Sequence, residues 1–306
     1  MNRRQFGLAL VGIAIMTATV PSTASAKDKF TIGYVNLADT DVWLKKLKTD
    51  FVAAAKSDPS LDIVFADANG DINKQLDQID NFIAQKVDAI VVIPVDDAGV
   101  VTGVEKANAA GIPVVALAIK SHGGRFIYVG SSNLDAGRLQ AEFMHTHLPK
   151  NAQIVYLQGA LGLYLTNERY KGFTEALDRP DVTILAVQSA DYDRAKGMAT
   201  MEDWIQTFPK IDGVVAANDQ MALGALQALK AAGRKNVLIS GIDGLQDTLA
   251  ALIEGDIAQT VFQNATAQAK AAVTVIEDIK GGKTVPSETI VPFEPITKEN
   301  VSKYLN

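Results

Sequence analysis

Short aliphatic runs alternate with helically spaced segments through almost the whole chain, and this alternation restricts the fold more than any other feature. The runs are FTIGYVN (30–36), DIVFADA (62–68), DAIVVIPV (88–95), IPVVALA (112–118), FIYVGSS (126–132), QIVYLQG (153–159), VTILAVQ (182–188), GVVAAN (213–218), VLISGID (237–243) and IAQTVFQ (257–263). Most are separated by amphipathic segments, such as the one carrying Ile72, Leu76, Ile79, Phe82 and Ile83. Strands apolar on both faces and separated by amphipathic helices form parallel sheets covered by helices, so the pattern predicts an α/β fold. Ten strands are many for one twisted open sheet, and two sheets facing one cleft are the more economical arrangement.

The ends of the strands carry the functional information. Several stop on polar residues just before a helix begins: Asn36, Asp67-Ala68-Asn69, Asp96-Asp97, Asn218-Asp219 and Asp243-Gly244. Open α/β sheets bind ligands outside the carboxyl ends of their strands. In the pair Asn218-Asp219, Asn218 is expected to face the cleft and contact a ligand hydroxyl. Asp219 is expected to cap the helix at 220–231, where a carboxylate satisfies free N–H groups and meets the helix dipole.

The first residues, MNRRQFGLALVGIAIMTATVPSTASA, join a basic start to an apolar run and a small-residue Ala24-Ser25-Ala26 end. This is the pattern of a secretory leader (1–26) cleaved after Ala26, and the run is too short to span a bilayer. Arg3-Arg4-Gln5-Phe6 also resembles a twin-arginine signal. Export predicts a periplasmic location. The whole chain has a net charge of −6, and removing Arg3 and Arg4 makes it more acidic, which argues against a nucleic-acid partner. With no cysteine, the mature protein depends on its core for stability and has no site for a thioether lipid anchor.

Motifs for catalysis and metal binding fail on spacing. His145 and His147 are two apart and cannot share one helix face, and His122 sits in a glycine-flanked loop. DANGDINKQLDQ (67–78) has glycine fourth rather than sixth and ends on Gln78, where a calcium loop needs a bidentate glutamate. Phosphate-cradling glycine loops and the nucleophile elbow are absent. Neither an enzyme nor a cofactor is expected. The strand ends offer amides, carboxylates, an arginine and aromatic rings, a set suited to a small neutral sugar or polyol. Amides both donate to and accept from hydroxyls, carboxylates accept, arginine donates, and aromatic faces cover C–H patches.

AANDQMALGALQAL, ADYDRAKG (190–197), SGIDG (240–244), ERYKGF (168–173) and Gln263 together resemble the ribose-binding branch of the periplasmic sugar-binding proteins, over essentially all of 30–290. The resemblance implies two Rossmann-like domains with parallel sheets, joined by three hinge crossovers around an inter-lobe cleft, the type I periplasmic binding protein fold. One lobe would comprise 27–130 plus 264–290, and the other 131–263 plus 291–306. The crossovers would lie near 130–133, 263–264 and 290–295. The resemblance further implies closure on a monosaccharide or polyol and delivery to the membrane subunits of an ABC permease; carrying the ligand to a chemoreceptor is an alternative that the sequence leaves open.

Carried over by position, the resemblance puts Arg169, Tyr192, Asn218, Asp243 and Gln263 on the cleft, with Trp43 stacking on the ligand. Asp41 stands where an asparagine is common, and Ser131 lies beside the first crossover. Each has a structural alternative: Trp43 in the core of its helix, Tyr192 capping an apolar edge, Arg169 paired with Glu168, Asp243 as a helix cap. The chain departs from the family after IPVVAL, where Ala118-Ile119 and then Lys120 replace an Asp-Arg clamp. That loss points away from ribose and toward a linear polyol, a deoxysugar or another small polar solute. A sugar-sensing regulator on the same fold would need a helix-turn-helix ahead of Phe30, where this chain has its leader. A Rossmann-like enzyme would need a nucleophile or cofactor loop.

Overall fold

Each of the ten aliphatic runs is a strand. The computed structural model describes residues 29–305; the expected leader and its cleavage site lie outside them. The first sheet contains β1 (Phe30–Asn36), β2 (Leu61–Asp67), β3 (Ala89–Val92), β4 (Val114–Leu117) and β5 (Ile127–Gly130). The second contains β6 (Gln153–Gln158), β7 (Thr183–Ser189), β8 (Gly213–Ala216), β9 (Leu238–Asp243) and β10 (Gln259–Phe262). Two short strands that the apolar pattern misses complete them, β11 (Glu288–Ile290) beside β5 and β12 (Glu294–Thr297) beside β10.

The strand orders are 2-1-3-4-5-11 and 7-6-8-9-10-12. Every pairing is parallel except that of β12, which runs antiparallel to β10. In each sheet the order reverses beside the first strand, between β1 and β3 and between β6 and β8, opening a crevice at the carboxyl ends. The chain passes between sheets three times: after β5, after β10, and between β11 and β12.

Local chemistry starts the helices where the strand ends require. In α1 (Val42–Ala55), α2 (Ile72–Ala84), α4 (Asn133–His147), α6 (Arg194–Thr207), α7 (Asp219–Ala231) and α9 (Ala265–Lys280), the preceding Asp41, Asp71, Ser132, Asp193, Asn218 and Asn264 each accept from a first-turn N–H. Three helices, α3 (Val101–Ala109), α5 (Tyr164–Ala176) and α8 (Gln246–Glu254), start without a side-chain cap. Strands β3, β4 and β8 are buried along their whole length, as both-face coverage demands.

The second sheet's helices pack closely enough to fix the position of one cleft residue. A Cβ on Gly137 of α4 would lie 2.0 Å from the Arg169 carbonyl oxygen of α5, and one on Gly172 would lie 2.0 Å from that of Leu134. Each glycine thus lets one helix rest directly on the other's backbone and sets the height of Arg169 over the cleft. Gly137→Ala must push α5 away; it is expected to cost about 2 kcal/mol or more in chemical denaturation, in the range of overpacked cores, and to weaken ligand binding as well.

Candidate ligand-binding site

A cavity of about 480 Å3 lies between the two sheets, walled almost entirely by residues just beyond the carboxyl ends of their strands. Leu37, Thr40 and Asp41 follow β1, and Ala118 and Ile119 follow β4. Across the cleft stand Ala160 and Leu163 after β6, Tyr192 after β7, Asn218 after β8, Asp243 ending β9 and Gln263 after β10. The lobes touch: Leu163 and Leu165 from the second pack into a core cluster formed by Trp43, Leu44, Ala118 and Ile119 of the first.

Arg169 is the cation of this site. It projects from α5, only 3 % exposed, and its guanidinium makes three hydrogen bonds. Nε donates to Asn133 Oδ1 at 2.9 Å, Nη1 to the Ala217 carbonyl at 2.6 Å and Nη2 to Gln263 Oε1 at 3.1 Å. It therefore binds α4, the end of β8 and the second crossover together, and it does not pair with Glu168. Asn133, which local sequence did not mark, orients it from the start of α4.

Tyr192 is held by a directional chain. The Thr166 hydroxyl donates to the Ala160 carbonyl at 2.8 Å, so the Tyr192 hydroxyl, 2.6 Å away, donates to Thr166. Its ring lies against Gly159, where a Cβ would come within 1.9 Å of it. Trp43 lines the cavity and belongs to the core, and its Nε1 donates to the Gln263 carbonyl at 2.9 Å.

Backbone strain gathers at the same place. Ala118 (φ 63), Asp191 (φ 52), Tyr192 (φ 60) and Asp243 (φ 131) are non-glycine residues at positive φ, and all four line the cavity. Such conformations persist only where surrounding structure enforces them, and they concentrate at functional sites.

Two sequence expectations are corrected, and one structural alternative is ruled out. Asn218, not Asp219, caps α7: its backbone is extended and its Oδ1 accepts from Met221 N at 3.1 Å. Asp219 is the first helical residue and is fully buried, accepting from Leu245 N at 2.8 Å and the Thr260 hydroxyl at 2.7 Å. It holds the β9–α8 turn to β10. Ser131 does not reach the cavity wall; its hydroxyl accepts from Gln268 Nε2 at 2.8 Å, behind the first crossover. Asp243 is no cap, since α8 begins at Gln246.

Asp41 caps α1, accepting from Leu44 N at 2.7 Å, and also lines the cavity. Lys120 does not restore the missing clamp: it pairs with Glu288 at 2.7 Å and lies over the Tyr128 ring. The first lobe therefore meets the cavity with Ala118 and Ile119, while most polar groups come from the second lobe. Among the described residues no group of three or more His, Asp or Glu side chains is placed to share a metal ion, and no helix is long and apolar enough to cross a membrane.

Residues 32–284 match the family model of the periplasmic binding protein domain. The chain belongs to this family. It is 35% identical over 280 residues to the ribose import binding protein of Bacillus subtilis, covering 91% of each chain. It is 36% identical over 297 residues to the xylitol-binding protein of Mycolicibacterium smegmatis, covering 95% of this chain and 84% of that one. An ABC transporter solute-binding protein from Bacillus halodurans C-125, solved with bound myo-inositol, superposes with a TM-score of 0.86 at 33% identity, covering 92% of this chain and 99% of that one. The family is one of solute-binding proteins rather than enzymes.

Two measurements test the site's physics. Arg169→Ala leaves three buried acceptors without their donor and is expected to cost about 3 kcal/mol in denaturant titration, with loss of ligand binding. Burial raises the Asp219 carboxyl to about 6 despite its hydrogen bonds. A carboxyl raised in the folded state binds its proton more tightly there, so its contribution to stability is present at low pH and lost as pH rises through about 6. Asp219→Asn is therefore expected to change the stability difference from the parent between roughly pH 4 and 6, in the direction of a relatively more stable variant at the upper end. A difference that is flat across this window would contradict the assignment.

Proposed function

We propose that the chain is an exported solute-binding protein of an ABC importer, taking a monosaccharide or polyol in the inter-lobe cavity and presenting it to the permease from the periplasm. The observation that carries this reading is the cavity itself. Its size suits one small molecule, and its second-lobe wall sets Arg169, Asn218, Asp243 and Gln263 opposite the apolar Ala118 and Ile119. Hydroxyls would face the polar wall, and C–H patches would face Trp43 and the first lobe. Relatives named for ribose and xylitol binding, and one solved with myo-inositol, support the same class of ligand.

Mechanistically, a ligand that touches both lobes stabilises the closed arrangement by its differential affinity for it. The lobes are taken as 27–130 plus 264–290 and 131–263 plus 291–306, turning about the three crossovers. The permease would read the closed surface. Of the eight residues first assigned to the ligand, seven stay in this reading: Asp41, Trp43, Arg169, Tyr192, Asn218, Asp243 and Gln263. Asn218 combines contact with capping, so Asn218→Ala should weaken binding and also cost about 1 kcal/mol of stability.

Isothermal calorimetry and thermal shift against pentoses, hexoses, deoxysugars, linear polyols and inositols test the reading. Saturable one-to-one binding with a raised melting temperature is expected for at least one of them, and Arg169→Ala should abolish it. Folded protein that binds none of these would overturn the reading.

A further inference from the structure

The charges lining the cavity do not balance. Four carboxylates lie on its wall, Asp41, Asp191, Asp193 and Asp243, against the one arginine. Two are accounted for near the rim: Asp191 pairs with Lys196 at 2.7 Å, and Asp193 is exposed, so water solvates its charge. The inner two are not. Asp41 spends one oxygen on the Leu44 N–H. Asp243 is 7 % exposed, and its carboxylate has no hydrogen-bond or ion-pair partner among the described residues.

Arg169 does not neutralise both. Its bonds go to Asn133, Ala217 and Gln263, all neutral acceptors. Every other neighbour leaves the excess standing. Asp219 lies beneath Asp243 and adds to its repulsion, and the Tyr192 hydroxyl donates elsewhere. Ala118, Ile119, Leu163 and Leu165 bring no charge, and Lys120 turns to Glu288. Asp41 and Asp243 are close enough to feel each other, and burial pushes both carboxyls up, Asp243 well above the ordinary range. Removing such groups from water without a counter-charge is costly.

We infer that the solute is a polyol or sugar bearing a protonated amine, the ammonium seated between Asp41 and Asp243 and the hydroxyls directed to Arg169, Asn218 and Gln263. The inference rests on the polyol-binding reading above and changes only the charge of the ligand. An ammonium supplies three donors to acceptors that have open capacity, and it adds a positive charge where carboxyl groups outnumber the one arginine. The apolar first-lobe wall then covers the C–H face, where a neutral sugar in a charged clamp would need partners of both signs.

Calorimetry at pH 7 with matched pairs tests this: ribose with 2-amino-2-deoxyribose, xylitol with 1-amino-1-deoxyxylitol, and myo-inositol with an amino-deoxyinositol. In the best-fitting pair the ammonium member should bind at least tenfold more tightly. Asp41→Asn keeps the cap of α1, because asparagine caps as well as aspartate, and removes a carboxyl that repels Asp243, so its ligand-free melt should be no lower than the parent's while the ammonium preference falls at least tenfold. Asp243→Asn should reduce the same preference. Neutral members that bind as tightly as their amines overturn the inference and leave the polyol reading intact. A cooperatively melting protein that binds no member of any pair, and none of the wider panel named above, overturns both.

Discussion

A single buried guanidinium organises the second lobe's face. Arg169 reaches across three segments that have no covalent reason to be adjacent: the start of α4, the end of β8 and the second crossover. A buried arginine survives only if its donors are used, and here they are used to fix loop carbonyls and amides that must stand still for a ligand. Its reach in turn depends on two glycines that bring α5 down onto α4. Packing, polarity and cleft geometry are thus one arrangement, and the strained φ values of Tyr192 and Asp243 lie around it.

Beneath that face Asp219 plays a comparable role out of solvent. It ties the turn after β9 to Thr260 on β10, so the loop carrying Asp243 is braced from below. The arrangement sets one carboxylate that is saturated by hydrogen bonds under another that has none. Their opposite environments give them different functions: the lower one holds backbone, and the upper one is available to whatever enters the cavity.

The alternation of aliphatic runs exposed the fold because buried parallel strands cannot avoid being apolar on both faces. Strands β11 and β12 escaped notice for the converse reason: they are three and four residues long and largely exposed, and they are recruited by sheets whose other strands lie far back in the chain. Within the site, Arg169, Tyr192 and Gln263 were legible only through family resemblance. From the residues alone, a pair with Glu168 is the better reading, because Asn133, Ala217 and Gln263 are brought to Arg169 by tertiary structure. The exchange of roles between Asn218 and Asp219 has the same origin. Two adjacent polar residues before a helix look alike as caps, and what separates them is a partner 26 residues away and another 41 away. Ser131 was misjudged because nearness to a crossover does not say which side of it a hydroxyl faces.

The bond from the Trp43 indole to the Gln263 carbonyl has a mechanical meaning beyond lining a wall. Trp43 stands on the first lobe's opening helix, and Gln263 is the last residue before the chain crosses back to that lobe. The ring that borders the cavity is therefore tied to a crossover between the two sheets. In the proposed hinge mechanism, a solute that shifted the indole would pull on that crossover directly, so occupancy and closure would be linked through this hydrogen bond as well as through the core.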